Sequence, residues 1–297
     1  MPWLKKLLYI ALLLAALIGI FFAWQVWKNN RDINPVPATD IEKHFNRSVQ
    51  WLLDSYNTIE NTQNPILWWM IKQAAETSGD KRLQTIYARY KQNHLDPNPN
   101  DLWTPMFNEL YRPRVPERFL LPKLADYQLF FLYSLSCDRD LATEAVIQKQ
   151  LQPGFCTMHY LHPRCVTHQM MGLRFMQRYQ CGYEDTVNST IGELQEVIIS
   201  ELTWDFRVTD AYIQRVLMLA DSGAYNRIKP VWIRNILDAQ NDDGSWDDLY
   251  PLFPLGGGRV FALTSMLPKI GTHHASFHAT AQGIMLLALL LEHNRDQ

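Results

Sequence analysis

The chain has 297 residues, of which 47% are hydrophobic, enough to build a sizeable core. Ten Trp, 13 Tyr and 13 Phe suit a protein that packs helices or lines a cavity with rings. The net charge of −2 provides no overall electrostatic basis for a nucleic-acid or polyanion partner, and no nucleic-acid partner is expected.

The first element is Leu7–Trp27, apolar apart from Tyr9 and Gln25 and preceded by Lys5 and Lys6. About 20 such residues cross a bilayer as a helix, so 7–27 is expected to contact lipid. A cleavable signal peptide has a shorter core and a small-x-small site. Here Ile20 leads instead into Phe-Phe-Ala-Trp-Gln-Val-Trp. Trp3, Trp24 and Trp27 sit where interfacial aromatics belong. Residues 1–29 therefore read as an uncleaved signal anchor. Lys5, Lys6 and the amino terminus oppose Lys28 and Arg31, with Asp32 offsetting part of the second group. The positive-inside rule then favours an N-in, single-pass protein of the inner or cytoplasmic membrane, its carboxy-terminal domain in the periplasm or its equivalent.

Residues 30–39, with Asn34-Pro-Val-Pro, read as a short stiff linker, and 40–297 as one domain. Thr39 or Asp40 can cap a helix that runs through Asn57, with Ile41, Phe45, Val49 and Leu52 near a 3.6 period. Ile66–Thr77 and Lys81–Asn93 follow as helices. Pro97–Pro122 holds six prolines and is expected as a long surface connection, of the kind that often borders a site. Helices are then expected over 124–137, 140–150, 164–180, 185–202, 208–222, 227–240, 259–268 and 275–293. No clean alternating strand pattern interrupts them. Gly256-Gly-Gly-Arg259 matches no phosphate-binding fingerprint and reads as a mobile loop or lid.

A weak repeat underlies these helices. Segments starting at Asp126, His168 and Asp210 each open polar and turn apolar, and their starts are 42 residues apart. A fourth such start is His278, displaced by an insertion at about 241–264. A period near 42 fits a two-helix unit. All four cysteines, Cys137, Cys156, Cys165 and Cys181, lie in the same region. An oxidising compartment allows three pairings of the four, and four buried thiols are the alternative.

Gln240-Asn-Asp-Asp-Gly244-Ser-Trp246 resembles the Gln-x-x-x-Gly-x-Trp repeat of α/α-toroid proteins: terpenoid cyclases, protein prenyltransferases and their relatives. His278-Ala-Thr280 resembles the His-x-Thr helix start common in the same proteins. The resemblance covers about residues 120–295. It implies an all-α fold, a transmembrane helix followed by an α/α-toroid whose ring need not be complete, with the four repeated helices on the inner ring. In prenyltransferases the histidine binds zinc with an Asp-x-Cys pair, which this chain lacks. The Asp-x-Asp-Asp acid of hopene-type cyclases is also missing, because Asp242-Asp243 and Asp247-Asp248 are spaced differently.

Inner-ring helices that start at one end of a toroid point their first turns into its mouth. On that arrangement Asp126, Tyr127, His168, Gln169, Asp210, Tyr212 and His278 converge, although Asp126 and Asp210 also suit plain helix caps. Tyr160 and Arg164, from a loop with His162, could hold a polar or anionic substrate. His168, His278, Asp210, Tyr160 and Arg164 are the candidate catalytic set. His274 and His278, four residues apart, are candidate ligands for a divalent metal such as zinc, with no other cofactor expected. A second run of Cys and His over 156–168 is interrupted by Pro163 and suits a disulfide better than a metal.

Two functions follow. The first is a binding or assembly subunit of a membrane-associated complex, with a protein or glycan partner. The alternative is an extracytoplasmic enzyme on a glycan or other polar substrate (a lyase, epimerase or hydrolase) that uses the His, Tyr, Arg and Asp of the mouth.

Overall fold

The computed structural model describes residues 2–108, 110, 111, 115, 123–157 and 162–296. These are mostly helical, with one small three-stranded sheet. Helix α1 runs over Pro2–Asn30. From Lys5 to Asn30 it is long and apolar enough to cross a membrane, with an 18-residue window of mean hydropathy 2.6 and none of that window buried in the protein. Its last turn behaves differently. Asn29 is buried, donates to the carbonyl of Leu202 at 2.6 Å and accepts from the Tyr212 hydroxyl at 2.9 Å. Asn30 donates to the carbonyl of Thr203 at 2.7 Å. The end of the apolar helix is thus built into the folded part.

After extended residues 31–37 come α2 (Ala38–Ile59), α3 (Pro65–Ser78) and α4 (Lys81–Tyr90). Asn64 caps α3 ahead of Pro65, and Asp80 caps α4, both through side-chain oxygens. Asp40, a candidate cap for α2, pairs instead with Arg234 at 2.8 Å. Further on lie α5 (Asp126–Ser136), α6 (Arg139–Ala142), α7 (Ala145–Gln150), α8 (Cys165–Tyr179), α9 (Glu184–Trp204), α10 (Asp210–Asp221) and α11 (Pro230–Asp238). The single helix expected over 140–150 is broken in two at Thr143–Glu144, where Asp138 caps the first piece.

Burial separates two classes of helix. Every residue of α10 is buried, and α3, α5, α8 and the final helix α12 (Phe277–Arg295) are buried over most of their surface. A helix apolar all round needs neighbours all round. α3 packs on α12, α12 on α10, α10 on α8 and α8 on α5. Both α3 and α5 touch the 3-10 turn Thr104–Met106, which completes the circuit. Trp69 of α3 meets Phe175 of α8 edge-on at 4.9 Å, and Phe175 meets Phe131 of α5 at 5.7 Å. Helices α2, α4, α7, α9 and α11 bury one face only and pack outside this group. Of the five central helices, four carry the repeat; α3 is the one that the repeat does not mark.

The Gln240–Trp246 turn ties the end of the chain to its beginning. The Gln240 amide donates to the carbonyls of His44 at 3.0 Å and Gly244 at 2.9 Å, and its oxygen faces the His44 ring at 2.7 Å. Gly244 has φ +94, and a Cβ there would lie 2.3 Å from the Arg47 carbonyl oxygen, so only glycine fits. Trp246 is buried, donates from Nε1 to the carbonyl of Ile236 at 2.8 Å and lies against Gly283 of α12.

Residues 250–272 depart from the sequence expectation. They form an antiparallel sheet of β1 (Tyr250–Gly256), β2 (Arg259–Leu263) and β3 (Pro268–Thr272), in that order, where a helix over 259–268 and a loop were expected. The reason is exposure. β1 and β3 are open to solvent along most of their length, and only Val260 and Ala262 of β2 are buried. A strand with little buried face carries little alternation. The glycine run is the hairpin turn: Gly256 pairs with Arg259 across Gly257 (φ +58) and Gly258 (φ +74), both left-handed as a tight two-residue turn requires.

The cysteines form two disulfides. Cys137–Cys181 joins the ends of α5 and α8, and Cys156–Cys165 staples the loop ahead of α8 to its first residue.

Candidate functional site

The five central helices start at the same end, and their first turns surround a cavity of about 420 Å3. Asn64 is the cap of α3 and Ile66 lies in its first turn; Tyr127 and Gln128 come from α5, His168 from α8 and His278 from α12. Gln214, one turn into α10, and Arg164, just before α8, complete the wall. A second cavity of about 540 Å3 shares Tyr127, Arg164 and His168 and extends toward Phe155, His162 and Met266.

His168 is the central residue. Its ring stacks on Tyr127 at 4.4 Å and meets the edge of Phe131 at 6.1 Å. Among the described residues its ring nitrogens have no hydrogen-bond partner. Burial, with the nearby Arg164 charge and His278 adding to it, lowers its pKa to about 4. The ring is therefore neutral at pH 7 and lines both cavities.

His278 is held on both sides. Gln282, one turn on, places its amide nitrogen 3.1 Å from Nε2. Donation there leaves the imidazole proton on Nδ1, which lies 3.7 Å from Oδ2 of Asp210. Burial lowers the His278 pKa, and the Asp210 carboxylate acts against that. Asp210 is itself buried and accepts from Arg164 at 2.8 Å. Arg164 keeps 45% of its side chain exposed, so its fork still faces the opening. Neither Asp126 nor Asp210 is a helix cap: those positions belong to Ala125 and Thr209.

Of the candidate set, His168, His278, Asp210 and Arg164 come together at one opening. Tyr160 lies outside the described residues. Tyr212, expected at the mouth, points the other way, to Asn29; full burial raises its pKa. Gln169 faces the loop before α8, donating to the carbonyls of Gln150 and Gln152. Gln214 and Gln282 were not singled out from the sequence. The available signal was spacing: each sits four residues after Asp210 or His278, polar within an apolar helix.

His274 and His278 do not act as an i, i+4 pair, because α12 begins only at Phe277 with Ser276 as its cap. His274 belongs to another group. Its ring and the carboxylates of Asp247 and Asp248 offer three ligand atoms within 4.8 Å of one another, a spacing that could hold a divalent cation. The buried Asp247 carboxylate also accepts from the backbone of His274 and Leu249 and from the His273 ring at 3.1 Å. Burial is the main reason its pKa is raised.

No protein-family model, curated protein or solved structure matches this chain.

Proposed function

We propose that this protein is a membrane-anchored enzyme with an α/α-toroid domain outside the cytoplasm, acting on a polar, anionic substrate such as a uronate-containing glycan. The observation that carries the reading is His168: a neutral imidazole with no hydrogen-bond partner among the described residues, in the same cavity as His278, which faces Asp210. A general base needs an open lone pair within reach of a bound substrate, and a low pKa keeps it unprotonated. Arg164 suits a substrate carboxylate because its fork donates two bonds. In a lyase or epimerase, His168 takes the proton beside that carboxylate. His278 accepts from Gln282 at Nε2 and turns its Nδ1 proton toward Asp210, so it orients the Asp210–Arg164 pair; the departing oxygen of a lyase reaction, or the opposite face in an epimerase, takes its proton from water. The toroid reading is supported by the closed circuit of central helices and by the Gln240–Trp246 turn. The anchor reading is supported by Asn29 and Asn30, whose bonds to the domain would be wasted in a cleaved signal peptide. Two disulfides support an oxidising compartment.

The test uses full-length protein in nanodiscs with polyuronate oligosaccharides, following the ultraviolet absorbance of the unsaturated product and, separately, epimer content. His168→Ala is expected to lower kcat by about 100-fold or more. Absence of both turnover and binding with folded wild-type protein would reject this substrate class.

A second reading, a subunit of a membrane-associated assembly, is favoured by the sheet and its β2–β3 connection, where Phe253 and Ile270 of the strands and Leu267 of the connection are each more than half exposed. It predicts partners that co-purify from native membranes and are lost on Phe253→Ser/Ile270→Ser but not on His168→Ala.

A further inference from the structure

On the face of the domain next to α1 lies a groove of about 650 Å3, separate from the mouth. One wall is the helix itself, through Phe22, Ala23, Val26 and Trp27. The facing wall is Trp204, Phe206 and Leu263. Phe206 packs edge-on against Phe21 at 6.3 Å and Phe22 at 5.7 Å, which holds the two walls together at one end. The floor is a closed ion-pair cluster: Arg215 bonds Glu201 at 2.7 Å and Asp205 at 2.8 Å, and Arg207 bonds Asp205 at 2.7 Å. Two cations and two anions cancel there. Trp204, at the lip, is 59% exposed although it is a large apolar ring.

We infer that this groove seats an acyl chain of a bilayer phospholipid. The inference rests on α1 crossing the membrane and is independent of the chemistry assigned to the mouth. Leu7–Trp27 at 1.5 Å per residue spans about 31 Å, the thickness of the hydrocarbon layer. Residues 22–27 are therefore the last turns in lipid, and a groove walled by them opens sideways into the adjoining leaflet. Its walls continue the lipid-facing surface of α1, and its polar groups are gathered in the self-neutralising floor. The neutral floor selects against a strongly charged headgroup in the groove, so the headgroup remains at the interface beside Trp27 and Trp204, where indoles are favoured. Pro163 also lines both this groove and the cavity of His168, so one loop separates a seated lipid from the mouth.

The experiment uses the full chain in native membranes and then in phosphatidylcholine nanodiscs carrying a diazirine on one acyl chain. Carbonate extraction comes first. Photolabelling and peptide mapping follow, on the wild type and on Ala23→Trp and Leu263→Trp, which fill the groove from opposite walls. The expected result is retention in the membrane, with adducts on Trp204, Phe206 or Leu263 as well as on α1. Each filling variant should cut the domain adducts at least about fivefold and leave those on Leu13 and Leu14 unchanged. An unchanged melting temperature establishes that a variant is folded, and the second variant covers a failure of the first. Release by carbonate overturns the anchor and the groove together. Retention with adducts confined to α1, or domain adducts that neither variant reduces, overturns the groove alone.

Discussion

At the scale of single residues, the firmest consequences concern buried groups whose surroundings decide their charge or shape. His168 titrates near 4 in the folded chain and near 6.5 when unfolded. The unfolded state therefore binds a proton first as the pH falls. This stabilising contribution is complete above about pH 6.5 and is lost between about pH 6.5 and 4. His168→Phe, which keeps the stack on Tyr127, should flatten the fall in melting temperature over that window, and a pH series of melts on both proteins checks it. Arg215 is buried between Glu201 and Asp205. Arg215→Met leaves the buried Glu201 carboxylate without its partner and Asp205 with Arg207 alone, and should lower stability by about 3–5 kcal/mol in denaturant titration. Gly244 allows no side chain, because the atom it would meet is backbone. Gly244→Ala should cost at least about 2 kcal/mol by the same measurement. Gly283→Ala meets the Trp246 ring at 2.7 Å and is expected to cost less, since a ring can shift.

At the scale of elements, the Cys137–Cys181 bridge fastens α5 to α8, the two helices that carry Tyr127 and His168. It closes a loop with a sequence separation of 44, and the Cys156–Cys165 bridge one of 9. Chain entropy alone gives the first about 4 kcal/mol and the second about 2.5 kcal/mol. Cys137→Ser/Cys181→Ser should therefore lower the denaturant midpoint more than Cys156→Ser/Cys165→Ser, with intact mass confirming each pairing. The sheet shows how far an element can be read in advance. β1 and β3 are exposed on most positions, so neither shows the alternation that marks a half-buried strand. Pro251 and Pro254 also lower the strand propensity of β1. The glycines of the hairpin were visible, but without recognised strands on either side they read as a loop.

For the whole molecule, the question is how α1 meets the domain. Its last turn supplies Asn29 to a buried network with Tyr212 and Asn235, and Asn30 to Lys229. The end of the helix and the domain are thus one structural unit. Removing residues 1–30 should lower the melting temperature relative to removing residues 1–22, because only the longer deletion strips partners from Tyr212 and Asn235. The difference expected is about 1–3 kcal/mol, the usual cost of unpaired buried polar groups. Equal melting temperatures for the two truncations would mean that α1 is only a tether.

From the order of its residues alone, this chain declares an apolar amino-terminal helix and a helical remainder. It declares the Gln240–Gly244–Trp246 turn and four of the central helices by their shared polar starts. Those features are legible because each rests on local periodicity or on one turn whose glycine has no substitute. The convergence of His168 and His278, the Arg164–Asp210 pair between them and the docking of Asn29 join residues tens to hundreds of positions apart. So do the two cysteine pairings, which spacing left open. Only packing decides them, because a helix start fixes where a side chain begins but not which other helix it will face.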